Sequence, residues 1–244
     1  MEHLAEPLAS IPGVVAVTLG GSRATGRARP DSDWDFGLYY RGDLDVMALA
    51  GLGWHGRVFA PGDWGPLVNG GAWLEVDGAR VDLVYRDLDV VEHWTREAEA
   101  GRFEIQREVG YVAGLATYVL MGELALGRVL AGTLPRPGFP EALRASAPPV
   151  WFTLAAGALV IAGDHAARDD ATGCLANLGQ GVLATAQGRL AARSEWALNE
   201  KGIVERAGLA HLSHRLLRPA DGLRALVAGI VSDLALPETV WSAR

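Results

Sequence analysis

The sequence predicts an α+β chain: a small mixed-sheet domain over residues 1–90, then an all-α helical bundle over residues 91–244. Two observations carry this expectation. Up to about Asp89 the chain is rich in Gly, Asp and Trp, and its apolar residues fall in short runs bounded by turn residues. Beyond that point it is rich in Ala and Leu, and the apolar residues recur at helical spacing between short connections, the pattern of a bundle.

The elements follow in order. Residues 2–10 predict a short helix, weakened by Pro7 and stopped at Pro12-Gly13. Val14–Leu19 is apolar and β-branched, so it reads as a buried strand. Gly20-Gly21-Ser22 follows, and residues 33–40 read as a second strand. Residues 73–76 and 80–85, joined through Asp77-Gly78, read as a hairpin, because Asp-Gly favours a tight turn with positive φ. Residues 52–71, full of Gly, Pro and Trp, carry no clear assignment. In the second half, Tyr111, Leu115, Tyr118, Val119, Gly122, Leu126 and Val129 predict a helix, which residues 133–140 must break. Pro148-Pro149 is expected to precede an apolar helix starting near Val150. Leu175, Leu178, Val182, Leu183, Ala186 and Leu190 predict another helix, and Asp221 is the expected N-cap of a last one.

Composition narrows the function. With 50% hydrophobic and 21% charged residues, the chain has enough apolar surface to fold, unlike a disordered polymer. A net charge of −7 argues against a general nucleic-acid binder and suits a cationic partner or a carboxylate-rich site that collects metal ions. One cysteine, Cys174, excludes an intrachain disulfide and a Cys-rich zinc site. The first ten residues carry Glu2 and Glu6 and no basic segment before an apolar run, so no secretory signal is expected there. The apolar stretch 150–163 falls short of the roughly 18–20 residues that span a bilayer and reads as a core helix, with the cytoplasm as the expected location. Of 22 cationic residues only Lys201 is a lysine.

The chemistry concentrates in residues 19–40. Glycines at 20 and 21 let backbone N–H groups approach a phosphate, and a helix starting there would add its positive end. Ser22 offers a hydroxyl and Arg23 a guanidinium for a phosphate oxygen. After a spacer from Arg23 to Ser32 comes Asp33-Trp34-Asp35. On a strand Asp33 and Asp35 share a face, with Cα atoms about 7 Å apart, while Trp34 and Phe36 point oppositely. Two adjacent carboxylates repel, so a cation belongs between them; a Mg²⁺ pair about 3.5–4 Å apart is the natural candidate. Asp82, inside the apolar run 80–85, is costly there without a partner and offers a third oxygen ligand; the bland alternative is a pairing with Arg80 or Arg86.

These residues together, Gly20-Gly21-Ser22, the spacer, Asp33-Trp34-Asp35-Phe36 and a later strand bearing Asp82, resemble the nucleotidyltransferase superfamily that includes DNA polymerase beta. The wording GSRATGRARPDSDWD is similar to the prokaryotic minimal nucleotidyltransferases and the aminoglycoside adenylyltransferases. The resemblance covers about residues 14–87. It implies that Asp33, Asp35 and Asp82 are catalytic and hold two Mg²⁺ ions, and that Gly21, Ser22 and Arg23 bind a nucleoside triphosphate, most simply ATP. Lys201, from the helical half, would reach the same triphosphate, unless it is a solvated lysine at a helix end. Asp82, Glu104 or Glu200 would serve as general base. The implied reaction moves AMP to a hydroxyl of a small molecule such as an aminoglycoside-like antibiotic and releases pyrophosphate. The bundle over residues 91–244 would bind that acceptor, in a monomer or homodimer that needs neither membrane nor nucleic acid. Two other readings stand beside it: an antitoxin-like enzyme that adenylylates a protein, and a nucleotide sensor without catalysis. Trp54, Trp64 and Trp73 are either core and loop anchors or stacking partners for a ring.

Overall fold

A computed structural model of the chain describes residues 1–217 and 222–237, without the side chains of residues 214 and 217. Asp221, the expected N-cap, lies outside the described residues. The chain divides into two compact units, Met1–Arg96 with Leu120–Gly138, and Glu97–Val119 with Phe139–Arg244. Where the sequence suggested one divide at residue 90, the chain therefore returns to its first unit over residues 120–138.

The first unit is built on a six-stranded mixed sheet. Its members are β1 (Val14–Leu19), β2 (Trp34–Tyr40), β3 (His55–Val58), β4 (Gly71–Val76), β5 (Ala79–Asp87) and, after two short strands of the second unit, β8 (Arg128–Ala131). Their order is β3-β4-β5-β2-β1-β8. Only β2 and β5 run parallel; every other neighbouring pair is antiparallel. The β4–β5 hairpin turns at Asp77 (φ 51°) and Gly78 (φ 72°), as its Asp-Gly pair predicts. One sheet face carries the core: Val17 and Leu19, Phe36, Leu38 and Tyr40, Leu74 and Val76, Val81, Leu83 and Tyr85. The helix α1 (Ala5–Ala9), with Leu8, and α3 (Val46–Ala50), with Leu49, complete it. The short helices α2 (Gly21–Ala24) and α4 (Gly65–Val68) lie in the connections that follow β1 and β3, and α5 (Leu88–Glu99) follows β5.

The helix predicted from the Tyr111 to Val129 stripe does not form as one element. Gly110 and Gly114 stand at φ 89° and 98°, backbone that a helix cannot use. The segment instead makes a two-stranded sheet, β6 (Ile105–Gln106) with β7 (Leu115–Ala116), then α6 (Val119–Leu126), and then β8, which pairs with β1. Arg86, at the end of β5, forks onto Glu123 of α6 at 2.5 and 2.7 Å, and its Nη1 donates to the Val68 carbonyl at 2.7 Å. This pair, with Arg86 buried and Glu123 partly so, fastens residues 120–138 to the sheet.

In the second unit α7 (Glu141–Ala166) packs along α8 (Ala171–Ala192), beside α9 (Ile203–Arg206), α10 (Ala210–Leu217) and α11 (Gly222–Leu234). The helix expected to start near Val150 begins at Glu141 and runs through Pro148 and Pro149. Those prolines deprive the carbonyls of Arg144 and Ala145 of a helical donor, at two residues that are exposed. At 26 residues α7 is also long and apolar enough to cross a membrane by length and composition. Its Leu143, Trp151, Ala155 and Leu159 are nevertheless buried in the unit, as a core helix requires. The Trp151 indole N–H donates to the Tyr118 hydroxyl at 2.8 Å. On α8 the stripe residues Leu178, Val182, Ala186 and Leu190 are buried, Leu183 is half-buried and Leu175 is exposed, and Cys174 is buried beside them. Asp170 caps α8, accepting from the Gly173 N–H at 3.1 Å and facing His165 Nδ1 at 2.8 Å.

Candidate active site

The face of the sheet opposite the core carries the polar residues. Side chains alternate along a strand, so Phe36, Leu38 and Tyr40 inside place Asp35, Gly37 and Tyr39 outside. The parallel register pairs Asp35 with Asp82, Phe36 with Leu83 and Trp34 with Val81. Asp35 and Asp82 are therefore next to each other on the same face of adjacent strands, although 47 residues separate them in sequence. Asp33 immediately precedes β2 on that face. Its Oδ1 is shielded from solvent and takes no hydrogen bond; Arg80 Nε stands 2.6 Å away as an ion-pair contact. Arg80 is thus a partner of Asp33, the kind of neutralisation the sequence had also allowed for Asp82.

The glycine turn lies against Asp35. The Gly20 N–H donates to the Asp35 carbonyl at 2.8 Å. Gly21 has φ 59°, and a Cβ there would fall 1.9 Å from Asp35 Oδ2. Glycine makes this contact without displacing the carboxylate, and so brings the turn onto it. The helix expected to add its dipole is a single turn, α2, and four aligned peptide units contribute little. Arg23 has a structural post. Its guanidinium donates to the Ser32 carbonyl at 2.5 Å and the Asp33 carbonyl at 3.1 Å, and it stacks 4.2 Å over the Trp34 ring. It holds both ends of the spacer together and so fixes the start of β2.

Tyr39, Arg86 and Glu123 adjoin the site. Burial pushes the Tyr39 hydroxyl well above the usual phenol range, and the Glu123 charge adds to the effect. Tyr39 therefore stays protonated near neutral pH and does not serve as a base. Glu104, Glu200 and Lys201 belong to the second unit. There Glu200 accepts from the Val112 and Ala113 N–H groups at 2.9 and 2.7 Å, so its carboxylate pins a loop. Lys201 and Glu200 line an open cavity of about 500 Å³ with Tyr111, Leu183 and Asn199.

The donors are of the kind a hard divalent cation takes: the carboxylates of Asp35 and Asp82 on one face, in the two strands whose register is parallel, with the shielded Asp33 Oδ1 beside them already faced by Arg80. Among the described residues no three His, Cys, Asp or Glu side chains are gathered closely enough to form a metal-holding group. The structure shows the Asp35–Asp82 adjacency and the shared face, with Asp33 drawn to Arg80.

The sequence passed over residues 52–71, which contribute an aromatic cluster to the same face. Trp73 on β4 is paired with Asp82, and Trp64 stacks on it with ring centroids 5.4 Å apart. Phe59 meets both rings, at 5.0 Å from Trp64 and 4.9 Å from Trp73. Trp54, by contrast, packs against the core. The signal available in sequence was the alternation in β4, which sets Trp73 opposite the buried Ala72 and Leu74.

Residues 1–91 match the family model described as nucleotidyltransferase domain. No curated protein matches the chain. Among solved structures, a nucleotidyltransferase-like protein from Exiguobacterium sibiricum 255-15 is similar, with 13% identity and a TM-score of 0.47, over 96% of this chain and 70% of its own.

Proposed function

We propose, for a chain whose residues 1–91 are a nucleotidyltransferase domain, that it transfers AMP from ATP to a hydroxyl of a small cationic acceptor and releases pyrophosphate. The observation that carries this reading is the β2–β5 register, which sets Asp82 beside Asp35 while the Gly20-Gly21 turn rests on Asp35. Asp33, Asp35 and Asp82 would hold Mg²⁺, whose chemistry when bound is to neutralise the triphosphate and acidify the acceptor hydroxyl. Gly21 and Ser22 receive the β- and γ-phosphates, and Arg23 keeps their loop in register with β2. The acceptor oxygen forms a bond to the α-phosphorus, the bond to pyrophosphate breaks, and the hydroxyl proton goes to a carboxylate. Asp82 is the carboxylate on the neighbouring strand and is assigned that role. Positioning and charge, rather than covalent chemistry by the protein, carry such a reaction. The net charge of −7 favours a polycationic acceptor. The cytoplasm, where ATP is supplied, is the location that goes with this reading.

The test is Asp35→Asn. Mg²⁺-dependent pyrophosphate release from labelled ATP is expected to be lost, with circular dichroism and melting temperature unchanged. Turnover at the wild-type rate in this variant overturns the reading.

A further inference from the structure

We propose that the exposed indole of Trp73 is the platform on which the acceptor lies, and that it receives the ring face of an ammonium-bearing sugar or cyclitol. This rests on the nucleotidyl-transfer reading above. The starting observation is a single row across the sheet. The Gly20 N–H bonds to the Asp35 carbonyl, Asp35 pairs with Asp82, Asp82 with Trp73, and Trp73 with Arg57. Successive strands are about 4.8 Å apart, so the row runs from the glycine turn, over both carboxylates, to the indole one strand beyond.

In-line displacement gives that row a direction. The leaving pyrophosphate and the attacking hydroxyl must lie on opposite sides of the α-phosphorus. With the phosphates at the turn beside Asp35, the hydroxyl approaches from beyond Asp82, where Trp73 stands. The indole is suited to hold what carries that hydroxyl. It is 53% exposed although the β4 residues on either side of it, Ala72 and Leu74, are buried. Trp64 backs it at an interplanar angle of 27°, and Phe59 braces it edge-on at 75°, so the exposed ring is held before any ligand arrives.

The surroundings select the class of ring. The carboxylates of Asp82, across the strand pair, and of exposed Glu75, two residues along β4, flank the indole, while the guanidinium of Arg57, its other strand partner, lies 4.5 Å over the Phe59 ring and that of Arg80, opposite Glu75, is held by Asp33. A π face bordered by carboxylates attracts ammonium groups and the C–H faces of saturated rings, and disfavours an anionic partner. A flat nucleobase on the same ledge is the competing occupant, and the experiment separates the two.

Kanamycin and Mg·ATP are each titrated by calorimetry into wild type, Trp73→Leu and Trp73→Phe. Leucine keeps apolar bulk against Trp64 and Phe59, and phenylalanine keeps a π face. Trp73→Leu is expected to weaken kanamycin by about tenfold and leave Mg·ATP within about twofold, while Trp73→Phe retains most of the kanamycin affinity. Loss of Mg·ATP affinity with kanamycin binding intact overturns the proposal, as does no change in either, or no kanamycin binding by wild type. Pyrophosphate release from ATP, measured on the same samples, scores the transfer reading separately. Kanamycin binding through Trp73 without any release would sink the transfer reading alone. Release with Trp73→Leu binding kanamycin like wild type would sink the platform alone.

Discussion

Gly21→Ala isolates what the glycine turn does. The methyl group would sit 1.9 Å from Asp35 Oδ2 and 2.7 Å from its Cγ, and the backbone φ is 59°. Two consequences separate. An alanine held in left-handed backbone costs about 1–2 kcal/mol. For a chain of this length that corresponds to a melting temperature lowered by about 2–8 °C. The contact itself is relieved by rotating a flexible carboxylate, so it adds little to the loss of stability. It does displace Asp35: reaching an ordinary contact of about 3.4 Å requires a shift of about 1.5 Å. Misplacement by about 1 Å costs on the order of a hundredfold in rate. Gly20→Ala is the matched control, because its φ is −112° and its added Cβ would meet Asp35 atoms only at 3.7 and 3.9 Å. Pyrophosphate release is therefore expected to fall about a hundredfold in Gly21→Ala and to stay within about threefold of wild type in Gly20→Ala. Calorimetry monitors stability alongside. Equal damage in the two variants, or near-normal rates in Gly21→Ala, refutes the argument.

Two further predictions concern stability. Arg86→Met leaves Glu123 without its fork and should lower the unfolding free energy by about 3 kcal/mol in a urea titration, a loss that an exposed pair would not show. Asp170 is held below its usual pKa, first by the Gly173 N–H and then by His165. A carboxylate with a depressed folded pKa stabilises above its unfolded pKa, and that contribution is lost as pH falls through the lower, folded value. Asp170→Ala should thus melt below wild type at neutral pH, and the gap should close as the pH falls below about 4.

Local chemistry made much of the first unit legible. Val14–Leu19 emerged with the bounds its β-branched run predicts, and the Asp77-Gly78 turn with the positive φ pair its residues favour. The face shared by Asp33 and Asp35 follows from alternation alone. What sequence could not supply was the neighbour of each strand. Whether β5 lies beside β2, and in which register, is decided by side-chain packing between Phe36, Leu38, Leu83 and Tyr85 across the whole core. For the same reason Arg23 was assigned to a phosphate, while its carbonyl partners at 32 and 33 come close only once the spacer has folded back. The helix read over Tyr111 to Val129 shows the opposite failure. Its apolar spacing was genuine, but the backbone demands of Gly110 and Gly114 outweigh periodicity.

The return of residues 120–138 to the sheet bears on where this protein can be cut. A fragment ended after residue 91 would keep all three aspartates and the glycine turn, yet lack β8 and Glu123. Its β1 would present a bare row of amide and carbonyl groups, the template on which strands of different molecules join edge to edge. The recognisable signature is shorter than the first unit, and dissection of this protein has to respect the second length.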